Sequence, residues 1–222
     1  MNQPCYLLLF IFVAAGIVFN DASPQDRGHH SADETYLFYL HGRIIEDAGP
    51  TPTHPRFGLY DYPAIVDALG SRGATVVSEV RESGTDSDQY ARKTIEDIEK
   101  LVAEGVSPGQ IVVAGFSKGG GIAIQTSRLL GRPEVRYVLL AACSDWIASS
   151  PDLYLTGRVF SIYEATDEIG TSCKDLADRG VGVTSFEELR ISTGKEHGAF
   201  YLPRPAWVAP LLGWVHDDGA WP

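Results

Sequence analysis

The chain has 222 residues, enough for one domain with a sizeable core and too few for two of ordinary size. Its apolar fraction of 44% and charged fraction of 21% are those of a soluble globular protein. A formal net charge of −11 speaks against nucleic acid and anionic lipid as partners, because both are gripped by clustered Lys and Arg.

Residues 6–19 form an apolar run without charge, followed by a polar stretch over 20–31. A run of that length is too short for a helix across a bilayer of roughly 30 Å, but it fits the central region of a secretory signal. Ala22 supplies a small residue before a cut at Ser23. No Lys or Arg precedes the run, a departure that keeps two other readings open: a short membrane anchor, or a start codon placed too early. Cys5 lies ahead of the run, not after it, where a lipid-modified cysteine would stand. The expected organisation is a signal peptide over 1–22, a flexible N-terminus over 23–35 and one domain over 36–222. The mature protein would be secreted or periplasmic, with no stable membrane insertion. Two cysteines then remain, Cys143 and Cys173, as either a disulfide or two buried thiols.

Beyond the leader no repeat or low-complexity block appears. Residues 36–40 are almost continuously apolar, as a strand buried on both faces must be. A loop rich in Gly and Pro follows over 46–58, then a helix over 59–69 with Ile65, Val66 and Leu69 on one face and Gly70 or Gly73 stopping it. Residues 74–80 read as a strand and 86–104 as a long amphipathic helix carrying Ile95, Ile98, Leu101 and Val102. A strand over 111–114 leads into a helix over 117–130, ended by Gly131 and Pro133. Three more strands are expected over 135–142, 158–165 and 184–191, and a last helix from Pro205 to about His216. Apolar strands alternating with helices imply an α/β fold: a mostly parallel sheet with helices on both faces. Ligands in such sheets sit beyond the carboxyl ends of the strands, so reactive residues should follow strands directly.

They do. Gly115-Phe116-Ser117-Lys118-Gly119 stands between an apolar strand and a helical segment, the context in which G-x-S-x-G carries meaning. A sharp turn there lifts the serine hydroxyl above the sheet, and glycines two before and two after leave room for strand and helix to pass. The same turn presents the backbone N–H of Lys118 at a helix N-terminus, where an oxyanion is favoured. Serine needs a base within hydrogen-bond reach. Of the six histidines, His197 hangs in the loop after the last strand, in Lys195-Glu196-His197-Gly198, while His29 and His30 lie in a polar N-terminal stretch. An acid must orient that base. Asp167 follows the strand ending at Ala165 and is preferred, with Glu168, Glu164 and Asp145 as rivals.

The order Ser117, Asp167, His197 resembles that of the α/β-hydrolase superfamily, over residue 36 to the C-terminus. Tyr39-Leu40-His41-Gly42-Arg43 resembles the turn that supplies the second oxyanion donor there. The resemblance implies a three-layer α/β-hydrolase fold in which the N–H of Gly42 or Arg43 joins that of Lys118, and His41 braces the turn. Without a long insertion between 142 and 158, and without the first strands, the chain is similar to compact, capless members such as small esterases and dienelactone-hydrolase-like proteins. The implied activity is a serine hydrolase acting on an ester or related acyl bond of a small molecule. A lyase on the same scaffold and a non-catalytic binding protein are the alternatives.

Lys118 is disfavoured by the helix dipole and calls for an anionic partner: Asp145, Glu168 or an acidic group of the substrate. Arg81, Glu82 and Trp146 follow strands and are candidates to line the cleft, Trp146 also as a packing aromatic. His54 sits in the loop over 44–58, either a pocket wall or a plain surface loop. No metal is expected, since H-x-x-E-H and C-x-x-C are absent, and no cofactor, since Gly119 to Gly121 do not complete G-x-G-x-x-G.

Overall fold

The computed structural model describes residues 34–217. The expected signal peptide, Cys5, His29 and His30 lie outside the described residues. In chain order the elements are β1 (Tyr36–Leu40), α1 (Arg43–Ala48), β2 (Thr53–His54), β3 (Gly58–Leu59), α2 (Tyr62–Gly70), β4 (Thr75–Val77), α3 (Ser87–Ala103), β5 (Ile111–Phe116) and α4 (Lys118–Leu130). Then come β6 (Arg136–Leu140), α5 (Asp145–Ser149), β7 (Thr156–Glu164), α6 (Lys174–Asp178), β8 (Gly182–Ile191), a 3-10 turn over Glu196–Phe200 and α7 (Pro205–Val215).

Six strands form one parallel sheet in the order β4-β1-β5-β6-β7-β8, while β2 and β3 make a separate antiparallel hairpin. Each central strand feeds both faces, which is why its sequence is apolar throughout. Leu37 and Tyr39 of β1, with Val112, Ala114 and Phe116 of β5, pack under α1, α2 and α7. Tyr36, Phe38, Leu40, Ile111 and Val113 pack on the opposite face against α3 and α4. The result is a three-layer sandwich, as expected. From β1 the chain steps outward to β4, then crosses back over β1 to reach β5. The strand order therefore reverses between β1 and β5, the crevice where open sheets of this kind bind ligands.

Several boundaries differ from the sequence reading. The stretch over 46–58 is not one loop but holds most of α1 and the β2–β3 hairpin, in which Thr53 pairs with Leu59 and His54 with Gly58. Helix α2 begins at Tyr62, not at 59, because Asp61 caps it by accepting from the N–H of Ala64 at 3.0 Å. Helices α5 and α6, five residues each, went unread. Such short helices lack a periodic stripe and are held by tertiary contacts.

Candidate active site

Ser117 occupies the sharp turn between β5 and α4 with φ 53° and ψ −116°, a backbone conformation that costs a non-glycine residue about 1–3 kcal/mol. Its own N–H donates to the carbonyl of Leu140 at 3.0 Å, tying the turn to β6. A side chain at Gly115 would overlap the backbone of Gly119, and one at Gly119 would overlap the carbonyls of Leu40 and His41. Gly120 packs against Ala142, but the space beside Gly121 is open. Glycine is therefore required at 115, 119 and 120.

The hydroxyl of Ser117 lies 2.9 Å from Nε2 of His197, whose Nδ1 lies 2.7 Å from Oδ2 of Asp167. An ionised Asp167 accepts from Nδ1–H, which leaves Nε2 free to accept from the serine hydroxyl. The other carboxylate oxygen of Asp167 accepts from the N–H of Ile169 at 2.8 Å, so the acid is held from both sides. Both the acid and the base are buried. The imidazole is packed between Phe116 and Phe57, with ring centroids at 4.8 and 5.9 Å. Phe57 can reach it only because residue 198 is glycine: a Cβ there would lie 2.9 Å from that of Phe57.

The rival acids have other places. Glu164 is buried, and its Oε1 accepts from the N–H groups of Thr193 and Gly194 at 2.8 and 3.0 Å. Its Oε2 accepts from the N–H and hydroxyl of Thr166, both at 2.6 Å. Burial alone would push this carboxyl up, but these four donors hold it below the usual carboxylate range. Glu164 thus joins the loop bearing the acid to the loop bearing the base. Glu168 is exposed and reaches Arg56 at 3.5 Å, and Arg56 also pairs with Glu196 at 2.5 Å. Asp145 opens α5, and Nδ1 of His197 meets Asp167 instead. Cys143 and Cys173 are joined in a disulfide with Cα atoms 5.3 Å apart. Together with the N–H of Thr171 donating to the carbonyl of Cys143 at 2.7 Å, it fastens the acid loop to the end of β6.

Two backbone N–H groups stand next to the cleft residues Gly42 and Ser117 in the chain. Arg43 and Lys118 are the first residues of α1 and α4, so their N–H groups lack an intrahelical acceptor, and none is found elsewhere among the described residues. Gly42, the other candidate, is engaged: its N–H donates to the hydroxyl of Tyr60 at 3.2 Å. His41 braces the turn as expected. The N–H of Arg81 donates to its Nε2 at 2.9 Å, and its Nδ1 meets the carbonyl of Gly42 at 2.9 Å. Burial, with the Arg81 guanidinium beside it, pushes the imidazole down to about 4 from an ordinary 6.5, so it is neutral near pH 7.

Lys118 does have a carboxylate partner, but neither Asp145 nor Glu168. Its Nζ lies 2.5 Å from Oε2 of the buried Glu46 and 2.6 Å from the carbonyl of Thr85. Oε1 of Glu46 accepts from Nε of Arg81 at 2.9 Å, and Nη2 of Arg81 donates to the carbonyl of His41. This cluster corrects two expectations. Lys118 is paired within the protein and is not a free cation beside the nucleophile. Arg81 is buried beneath the turn and cannot line the cleft. Trp146 is 70% exposed on α5, outside the cleft around Ser117, and Glu82 borders a separate groove with Thr85 and Tyr90.

The cleft at Ser117 and His197 has a volume of about 300 Å³. Ile44, Phe57, Phe116, Ile169 and Tyr201 make most of its wall, with Arg43, Asp47 and His54 at the polar side. His54 therefore does line it, stacked on Phe57 at 4.6 Å, while its Nδ1 accepts from the N–H groups of Arg56 and Phe57, each at 3.2 Å. Through Ile44, Asp47, His54 and Phe57 the segment over 44–58 forms one wall of the pocket. Phe57, Tyr201 and Ile169 were not foreseen as wall residues, since their placement depends on the hairpin and loops folding over the strand ends. Among the described residues no group of three His, Cys, Asp or Glu side chains is placed to share a metal ion, and no helix is long and apolar enough to cross a membrane.

The sheet order, the elbow at its reversal and the acid and base after β7 and β8 define the class: the chain has the α/β-hydrolase fold. Among solved structures it is similar to an esterase from the bacterial hormone-sensitive lipase family, at a TM-score of 0.60 and 16% identity, over 83% of this chain and 77% of that one. It is also similar to Arabidopsis thaliana SOBER1, with a TM-score of 0.52, 12% identity and coverage of 83% and 98%, and to an arylesterase, with 0.57, 14%, 83% and 76%. At such identities the likeness is one of fold. No protein-family model matches the chain, and no curated protein does.

Proposed function

We propose that the protein is a serine hydrolase that cleaves an ester or related acyl bond through an acyl-enzyme. The observation that carries this reading is the unbroken line from Asp167 through His197 to the Ser117 hydroxyl, with contacts of 2.7 and 2.9 Å. Ser117 Oγ attacks the substrate carbonyl as Nε2 of His197 takes its proton. The resulting imidazolium is stabilised by Asp167. The carbonyl oxygen becomes an oxyanion between the N–H groups of Lys118 and Arg43. Collapse expels the alcohol, which receives the proton from His197. Water, deprotonated by the same imidazole, then attacks the acyl-serine and releases the acid. The apolar cleft wall suits an uncharged acyl group, and the esterase neighbours agree with a carboxylic ester as substrate class.

A fluorophosphonate probe tests the reading, because it reacts only with an activated serine. The wild type should label and hydrolyse p-nitrophenyl acetate; Ser117→Ala should do neither. Asp167→Asn should keep its fold and lose about 10⁴ in kcat. Folded wild-type protein that neither labels nor turns over any acyl substrate removes the proposal.

The disulfide supports a further part of the same reading, that the chain is exported, because disulfides persist in oxidising compartments. Protein recovered from the periplasm or medium should begin near Ser23. Recovery in the cytosol with residue 1 intact would overturn this part alone.

A further inference from the structure

We infer that Glu46 is a positioning residue for the oxyanion site: a single buried carboxylate that fixes the two donor N–H groups relative to each other. The inference rests on the serine-hydrolase reading, and it concerns a residue outside the line from acid to base to nucleophile.

The two donors belong to parts of the chain that are far apart in sequence. Arg43 opens α1 after β1, and Lys118 opens α4 after β5. Donor geometry matters at a fraction of an ångström, because an oxyanion-site hydrogen bond acts at about 2.7–3.1 Å. The β1–β5 pairing brings the two helix starts together but ends at Leu40 and Gly115, short of both donors, and Glu46 is placed to fix what lies beyond it. Glu46 lies one turn into α1 from Arg43. Its Oε2 takes the ammonium of Lys118 at 2.5 Å, and its Oε1 takes Nε of Arg81 at 2.9 Å. Arg81 in turn holds the turn leading to Arg43, through its guanidinium on the carbonyl of His41 and its N–H on Nε2 of the same residue. Lys118 is anchored a second time on the carbonyl of Thr85. One carboxylate thus closes a loop of contacts that contains both donors.

Burial makes this a rigid arrangement. The side chains of Glu46 and Arg81 are 1% and 0% exposed, so water cannot replace either partner. Two cations and one anion also leave a net positive charge beside the site, and a purely electrostatic role for the cluster must be separated from a positional one. The two roles predict opposite signs for one substitution. Glu46→Gln removes a negative charge close to a developing oxyanion, which on charge alone raises the rate. If the carboxylate positions the donors, the rate falls instead.

The experiment compares wild type, Glu46→Gln and Lys118→Met with p-nitrophenyl acetate, an aryl trifluoromethyl ketone and the matching methyl ketone. Ser117 Oγ bonds to the carbonyl carbon of the trifluoromethyl ketone as its proton passes to Nε2 of His197, which leaves an alkoxide at the oxyanion site; the methyl ketone reports ground-state binding. Both variants should lose about 10–100-fold in kcat with KM within twofold. The inhibition constant for the trifluoromethyl ketone should rise by the same factor while that for the methyl ketone stays put. Lys118→Arg, which can still reach Glu46, should recover most of the loss. If Glu46→Gln does not fold, Glu46→Asp carries the test, since it keeps the charge and shortens the reach. A charge role leaves kcat unchanged and a positional role lowers it, so a kcat within twofold of wild type in Glu46→Asp overturns the inference. A kcat within twofold of wild type in Lys118→Met, or a rise in Glu46→Gln, overturns the inference. An inert wild type overturns the serine-hydrolase reading instead, so the two failures are distinct.

Discussion

Glu46 and Glu164 are both buried carboxylates near the carboxyl end of the sheet, one on each side of Ser117, and they are satisfied in different ways. Glu46 is held by two side-chain cations, Arg81 and Lys118, drawn from β4's exit and the start of α4. Glu164 is held by three backbone N–H groups and one hydroxyl, all from the loops at 166 and 193–194. Backbone donors come with the fold and need no charged partner. Cations must be buried along with the anion, and each then depends on the others. The side that holds Arg43 and Lys118 is accordingly the more brittle half of the site, and the side that holds Asp167 and His197 the more forgiving.

The largest effect that separates the halves is in stability. Glu46→Gln should destabilise the fold by about 3 kcal/mol, because it strands the buried guanidinium of Arg81 and takes the carboxylate from the half-buried Lys118. Denaturant titration checks this, and a loss below about 1 kcal/mol would erase the contrast. Next in size is a pH effect on the same side. His41 stays neutral in the fold down to about pH 4 but takes a proton near 6.5 when unfolded. The unfolded state therefore binds more protons between those values, and stability falls as pH drops from 6.5 toward 4. The loss is on the order of 3 kcal/mol at most. Glu164 has a folded pKa below its unfolded one, so its contribution is present above about 4.5 and fades only at lower pH. Hydrogen exchange at pH 5 should thus show weakened protection around residues 41–46 before residues 164–194. Smallest is Glu164→Gln, where an amide replaces one acceptor oxygen with a donor. The expected cost is about 1–3 kcal/mol, read from the same titrations.

The two halves also differ in how far the sequence reveals them. Around Asp167 and His197, strand, motif and chain order point to three residues that the structure joins by hydrogen bonds, Ser117, Asp167 and His197. Each follows a strand, and a parallel sheet brings all such positions to one edge. Glu164 was visible as a rival acid, but its bonds to Thr193 and Gly194 depend on loop conformations that no local pattern encodes. Around Arg43 and Lys118 the His41-Gly42-Arg43 turn was legible, and its partners were not. Lys118 and Glu46 are 72 residues apart, and α1 is too short to display a face. Arg81 looked like a cleft residue because it follows a strand; its side chain instead turns under the neighbouring turn. The hairpin over 53–59 was hidden for a similar reason, with only two residues in each strand.

The backbone at Ser117 has one more consequence. At φ 53° that position is the kind that glycine fills without strain, and the three glycines packed around it leave no freedom for the turn to relax. A chain selected for thermal robustness alone would drift toward glycine there and become sturdier as it became inert. Serine stands at one of the few strained non-glycine positions of the described backbone, so on the serine-hydrolase reading durability and reactivity pull this one residue in opposite directions.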